Sequence, residues 1–537
     1  MVGWTLTALA TALVFVALVI PDRYDRVSTL ALIRIPIEGL LGFALLLVLP
    51  TRWRRPVAVA AGALLGVVVV LKVTNMVFRN VMDRPFNLVL DWGLLDDGYA
   101  FLRDSVGRTG AVAALVGAVL LVAVVPALMA LATLRVAGFA VRHKTAGFRV
   151  GLALTAAWVA CFVVGAQIVP RVPVASRQTA SFTYYRSVEI TKGLQDSQEF
   201  AKLAASDPFR DTPSDQLLSA LRGKDVVVTF IESYGRDAVE SPTFAPQVTA
   251  VLDDGTQRLA AAGYGSQSAF LTSSTFGGGS WWAHATTLSG LWINNEQRYR
   301  TLVAGDRTTL NSAFQRAGWR TSAFMPGITR AWPESKFYGY DKVYDLRNMG
   351  YRGPGFGFAT MPDQFVWLTM QRNEHSKATR EPMMAQLALL SSHAPWVPIP
   401  RMVGWNEVGD GSIFHQVRKE GFTRKQVWSS TDRIRTEYRR SIEYSLSALI
   451  SYVETYGDEN LVMVFLGDHQ PSSLVVGEGA SHDVPISIIT KDQAVLNQIA
   501  SWKWTNGLKP GAKSPVWKMD SFRDRFLTTF SPEATHR

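Results

Sequence analysis

The first 170 residues do most to limit what this chain can fold into. Five stretches there, at about 4–20, 28–50, 57–78, 111–135 and 148–170, are long, apolar and poor in charge, whereas the rest reads as mixed polar and apolar sequence. A helix crossing a bilayer needs roughly 20 apolar residues, because each backbone polar group must find its partner inside the segment. The pattern therefore predicts five membrane spans. The first is short enough to be a signal peptide, but no small-residue cleavage site follows it in "VIPDRYDRVS", and four more spans come after. It reads as an uncleaved helix.

Arginine placement orients the spans. The loop "TRWRRP" carries Arg52, Arg54 and Arg55, and the loop between the last two spans carries Arg135, Arg142, Lys144 and Arg149. Both are expected on the cytoplasmic side. The loop at 79–110 carries Asp83, Asp91, Asp96, Asp97 and Asp104 and is expected outside. Five spans then leave the N-terminus in the cytoplasm and everything after residue 170 extracytoplasmic. Inside the second span, Arg34 and Glu38 lie four apart, the spacing of an ion pair on one helical face.

A net charge of +11 raises the question of nucleic acid, but the basic residues are scattered and form no tract. Membrane-flanking arginines and anionic lipid account for the charge more simply, and no nucleic-acid partner is expected. The one cysteine, Cys161, falls in an apolar stretch, so a disulfide framework, a zinc–cysteine site and a catalytic thiol are all excluded.

Residues 171–222 read as a linker containing a helix, with a Pro/Asp-rich joint at "DPFRDTPSD". From 223 to 537, β-rich runs alternate with helical patterns: "DVVVTFIES", a helix at 242–262, "RTSAFMPG", "MMAQLALLSSH", a helix at 432–456, "NLVMVFLGDH" and "VPISIIT". That alternation predicts an α/β layer domain with a mainly parallel central sheet and helices on both faces. Ligand sites in such sheets lie beyond the carboxyl ends of the strands.

Three strand ends present candidates: Glu232 in "ESYGRD", His393 in "SSHAPW", and Asp468 with His469 in "FLGDHQPSS". Any one alone is more often a cap or turn residue, but parallel strands set the three side by side. Carboxylates and an imidazole suit a divalent ion, Mn²⁺, Mg²⁺ or Zn²⁺. For a hydroxyl nucleophile, Ser280 follows Gly277, Gly278 and Gly279 at the start of a helix-like stretch, with Thr272, Ser273, Ser274 and Thr275 as rivals ahead of the glycines. Trp281, Trp282, Trp292, Trp332 and Trp396 fall near these motifs, either as core or as an apolar rim.

Taken in order, "FIESYGRD", "GGGSWWAHATTLSGL", "FYGYDKVYD", "SSHAPW" and "FLGDHQPS" resemble the alkaline phosphatase/sulfatase superfamily. Within it, the chain is most similar to the lipoteichoic acid synthase-like phosphoglycerol transferases, which join five transmembrane helices to an external sulfatase-like domain. The resemblance implies Glu232, Asp468 and His469 as metal ligands, together with Ser280 in the position of the family's threonine nucleophile. It implies His393 as a phosphate-facing residue, with Arg330, Trp332 and His482 as further substrate-pocket candidates. His284 stands four residues after Ser280, where sulfatases carry an arginine, and no cysteine occupies 280, which argues against sulfate ester hydrolysis. The implied activity is transfer of glycerol phosphate from phosphatidylglycerol to an envelope glycan or polymer. Phosphoethanolamine transfer and a non-catalytic role in envelope assembly are the alternatives.

Overall fold

The computed structural model describes every residue except 1, 28, 83, 93, 170, 171, 378 and 533–537; Asp83 and the expected boundary at 170/171 therefore lie outside the described residues. The chain divides into two compact units, Met1–Asp196 and Ser197–Arg537.

The first unit is helical. Three of its helices are long and apolar enough to cross a membrane, Thr51–Arg79, Gly107–Arg142 and Lys144–Val163, and two shorter apolar ones cover Gly3–Val19 and Ile37–Val48. The expected second span, 28–50, is not one helix. Proline cannot donate a backbone hydrogen bond, and it disfavours helical geometry at the residue before it. Accordingly a 3₁₀ turn at Thr29–Ile33 is followed by Ile35–Pro36, which pairs with Ala175–Ser176, and the helix begins only at Ile37. Arg34 and Glu38 turn to one stretch of chain: Arg34 Nη1 donates to Gln178 Oε1 at 2.8 Å, and Glu38 Oε1 accepts from the Ala180 amide at 2.7 Å.

The second unit is built on a nine-stranded sheet. Its strands are β1 (Asp225–Ile231), β2 (Gly265–Thr272), β3 (Arg320–Met325), β4 (Lys342–Asp345), β5 (Met383–Leu389), β6 (Leu461–Gly467), β7 (Asp483–Thr490), β8 (Thr505–Asn506) and β9 (Val516–Lys518). Their spatial order is β8-β2-β7-β6-β1-β5-β3-β4, with β9 also on β2. The pairs from β6 through β1, β5 and β3 to β4 are all parallel. Strand β7 runs against both β6 and β2, so β2 shares the direction of the parallel set.

Burial explains the central strand. All seven residues of β1 are buried, as expected of a strand covered on both faces. Successive side chains point to opposite faces. Val227 and Ile231 join the core formed with Val248, Leu252, Ile442 and Leu446, while Phe230 stacks on His284 at 3.9 Å. Helices Ala245–Ala261 and Thr431–Tyr456 thus pack on one side and Ser280–Ser289 on the other. The carboxyl ends of β1, β2, β5 and β6 share one edge, and the reversed β7 begins there.

Candidate active site

Glu232 follows β1 directly, and Asp468 and His469 follow β6 directly; the two strands pair in register up to Ile231 and Gly467. All three side chains are almost wholly buried. Their donor atoms, one from each residue, lie within 4.8 Å of one another. Ser280 arrives from a different direction, as the first residue of helix Ser280–Ser289. Gly279 before it has φ 83°, a left-handed conformation that side chains disfavour, and this turns the chain sharply into the helix. Ser280 Oγ donates to Glu232 Oε2 at 2.8 Å and lies 3.2 Å from His469 Nε2.

Neighbouring groups hold the donors in place. His469 Nδ1 donates to the Gln470 carbonyl at 2.7 Å, which fixes the ring and aims Nε2 at the two carboxylates and Ser280. Asp468 Oδ1 accepts from the amides of Ser233 and His469 at 2.8 and 2.7 Å. Ser233 serves both acids, since its hydroxyl donates to Glu232 Oε1 at 2.8 Å. It does so at φ 57°, an unusual conformation for a residue with a side chain, and Tyr438 braces it by donating to its carbonyl at 2.9 Å. The Ser392 hydroxyl, from the end of β5, donates to the Glu232 carbonyl at 2.6 Å. Ser233, Ser392 and Gln470 were not anticipated, although each sits inside or beside a quoted motif.

Electrostatically the site is short of positive charge. Burial and the nearby charge of Glu232 push the Asp468 carboxyl up to about 7. Glu232, against the pull of burial, is drawn down by the imidazoles of His393 and His469. Burial disfavours charge on His469 too, but Asp468 and Glu232 outweigh it and raise the imidazole above its ordinary value. Among the described residues, no lysine or arginine pairs with either carboxylate. Two buried carboxylates, an aimed imidazole and a hydroxyl form a hard donor set that fits a divalent cation.

The other sequence candidates divide. The His393 imidazole lies near enough to Glu232 to help draw its carboxyl down, and its ring stacks on Phe358 at 3.8 Å. His482 is exposed just before β7; its ring meets Phe276 at 5.1 Å, and its carbonyl accepts from the Ser273 amide. Trp332 belongs to a different group, packed with Tyr338 and Tyr340, and Arg330 is exposed on the loop after β3. His284 is held neutral, its pKa lowered to about 3 by burial, so it does not reproduce an arginine's charge. Three of the four rival hydroxyls point elsewhere, Thr272 to Asp483, Ser273 to the Asp468 carbonyl and Ser274 to Thr286, while the Thr275 hydroxyl is buried without a hydrogen-bond partner among the described residues. Trp282 and Trp396 are core, while Trp281 is exposed.

A second trio of two carboxylates and an imidazole, Asp225, His375 and Asp458, gathers where β1 and β6 begin. There Arg380 grips Asp225 with both guanidinium nitrogens, at 2.6 and 2.5 Å, and the Met383 amide donates to the same carboxylate. His375 Nε2 lies 3.4 Å from Asp458 and 3.8 Å from Asp225.

A model of the sulfatase family matches residues 224–500. No curated protein matches the chain. Among solved structures, it is similar to the lipoteichoic acid synthase LtaP from Listeria monocytogenes, at 15% identity over 62% of this chain and 78% of that one, with a TM-score of 0.38. It is also similar to the Streptococcus pyogenes phosphoglycerol transferase GacH in complex with sn-glycerol-1-phosphate (15%, 63% and 91%, TM-score 0.36). The C-terminal periplasmic domain of EcEptC from Escherichia coli is a further likeness (13%, 56% and 80%, TM-score 0.37).

Proposed function

This chain belongs to the sulfatase family, and on that premise we propose that it is a membrane-anchored, metal-dependent transferase. It moves glycerol phosphate from phosphatidylglycerol to an envelope glycan or polymer through a covalent intermediate on Ser280. The observation that carries this reading is the position of Ser280 Oγ, within hydrogen-bond reach of both Glu232 and His469 at the entrance of a helix.

Glu232, Asp468, His469 and Ser280 would hold one divalent cation, Mn²⁺ foremost. Bound there, such an ion supplies Lewis-acid polarisation of a phosphoryl oxygen and favours the serine alkoxide. Ser280 gives up its proton along the hydrogen bond to Glu232 Oε2, and Oγ attacks the phosphorus in line. The bond to diacylglycerol breaks, and that oxygen leaves with the proton that Glu232 took from Ser280. An acceptor hydroxyl then attacks the same phosphorus, giving its proton to Glu232, and Ser280 Oγ takes that proton as its bond to phosphorus breaks, a ping-pong sequence. His393 faces the phosphoryl oxygens and offsets their charge. Arg330, Trp332 and His482 are kept as outer substrate contacts.

The same reading divides the chain into a transmembrane part, 1–170, a linker, 171–222, and an extracytoplasmic catalytic domain, 223–537. If the two shorter apolar helices, Gly3–Val19 and Ile37–Val48, cross the membrane along with the three long ones, the count of five would place the N-terminus in the cytoplasm. Intact-protein mass spectrometry tests the chemistry, with the Mn²⁺-loaded full chain incubated with phosphatidylglycerol beside Ser280→Ala. A glycerol-phosphate adduct on the unmutated protein alone is expected. An adduct only with phosphatidylethanolamine would reassign the donor. No adduct with either lipid, with metal bound, would leave a non-catalytic envelope protein.

A further inference from the structure

Beside the exit of β5, the chain between His393 and helix Thr431–Tyr456 carries a cluster that the chemistry of Ser280 does not use. Its footing is firm: Phe414, Val417 and Val427 are buried in the main core. Between and after these feet, Phe422 and Trp428 stand 51% and 40% exposed. Residues 414–433 carry five cations, Arg418, Lys419, Arg424, Lys425 and Arg433, against the acids Glu420 and Asp432. Glu420 is already paired with Arg401 at 2.8 Å, and among the described residues no acid pairs with Arg418, Lys419, Arg424 or Lys425.

The cluster is tied to the site edge. Trp428 Nε1 donates to the Pro395 carbonyl at 3.0 Å, its ring lies parallel to Trp396 at 6.5 Å, and the Arg424 guanidinium sits over it at 5.4 Å. Pro395 is two residues from His393, whose ring is covered by Phe358, itself 43% exposed. Trp428, Arg424 and Phe358 are therefore joined to the strand-end edge, and the exposed Phe422, Arg418, Lys419 and Lys425 belong to the same segment of chain as Trp428. A Phe ring offers no hydrogen bond to a polymer or sugar. Aromatics at headgroup depth, with lysine and arginine over lipid phosphates, are what a membrane interface selects.

We propose that residues 414–433 form an interfacial anchor that seats this edge of the sheet on an anionic phospholipid bilayer. Phe422 and Trp428 enter the headgroup region, and Arg418, Lys419, Arg424 and Lys425 meet the lipid phosphates. The proposal rests on the reading of the site as acting on a membrane lipid, and it adds how the enzyme reaches that lipid: by lowering the strand-end edge onto it.

The test uses the full chain in nanodiscs whose lipids carry a doxyl quencher, with Cys161→Ser and a single fluorophore on Ser429→Cys. A second preparation carries the fluorophore on Glu459→Cys, at the opposite ends of the strands. With about 30% phosphatidylglycerol in phosphatidylcholine, emission at 429 is expected to fall about twofold relative to 459. Phe422→Ser, and separately Arg424→Glu with Lys425→Glu, should each remove at least about half of that loss. Equal quenching at 429 and 459, or none at 429, overturns the proposal. So does a response at 429 to soluble poly(glycerol phosphate) alone, which would assign the segment to an acidic polymer. Repeating the measurement on Ser280→Ala keeps it independent of turnover, so failure of the anchor and failure of the proposed chemistry are told apart.

Discussion

Glu232, Asp468 and His469 at one end of the central strands and Asp225, Asp458 and His375 at the other are each two carboxylates and an imidazole gathered within 4.8 Å. The difference lies in what neutralises them. At the far end Arg380 clamps Asp225 through two hydrogen bonds, so the fold supplies its own cation and the trio is a closed ion cluster. At the Glu232 end no lysine or arginine among the described residues does this; the hydroxyl of Ser280 comes in instead. Residue type alone does not separate the two trios. Counter-charge does, because two buried carboxylates are costly until a cation joins them, and that makes the Glu232 end the candidate cation site.

The sharpest way to break the comparison is through activity. Asp468→Asn is expected to lower headgroup transfer by about 10³-fold or more, and Asp458→Asn to leave it within about twofold. Initial rates on phosphatidylglycerol in matched detergent preparations measure both. Stability should respond in the opposite pattern. Arg380→Met strands a buried Asp225 and should cost about 3–5 kcal/mol, read as a large drop in melting temperature. In chelator-treated protein, Asp468→Asn should raise the melting temperature, since it removes one of two adjacent buried charges.

Metal addition sharpens the contrast further. Mn²⁺ at about 100 times its dissociation constant should stabilise the chelated protein by about 2.7 kcal/mol. That gain should survive Asp458→Asn and vanish in Asp468→Asn. The smallest effect concerns pH. Burial lowers the pKa of His375, so its neutral form is favoured in the fold, and Asp458 and Asp225 only partly oppose this. A depressed imidazole contributes stability above the ordinary histidine value of about 6.5, and that contribution is lost as pH falls below it. His375→Gln should flatten the decline as pH falls below about 6.5, as followed by thermal melts.

Much of the site was legible because it consists of strand ends. Apolar runs such as "VVVTFI" and "LVMVFLG" announce buried strands, and parallel packing brings the residues after them together, so Glu232, Asp468, His469 and Ser280 meet as expected. The superfamily resemblance carried by the ordered motifs is borne out by the sulfatase match. What escaped notice depends on the third dimension. Strand β2, "GSQSAFLT", opens with polar residues and lacks a continuous apolar signal. The reversal of β7 leaves no mark in a run as apolar as "VPISIIT". Arg380 and Asp225 lie 155 residues apart, and no spacing rule joins them. The short helix Ile37–Val48 escaped because apolar composition was read through Pro36.

The register of the central sheet has a consequence for how the molecule is made. Strand β1 is synthesised long before its two neighbours, since Val226 pairs with Met384 on one side and Val462 on the other. Until residues 383–389 and 461–467 have been assembled, this fully buried strand has both hydrogen-bonding edges open. Such long-range pairing is slow, and an unpaired β-branched run is a template for aggregation. Biogenesis of this chain therefore depends on keeping "DVVVTFI" shielded during synthesis, and a helper that grips extended apolar segments would find its first client site there.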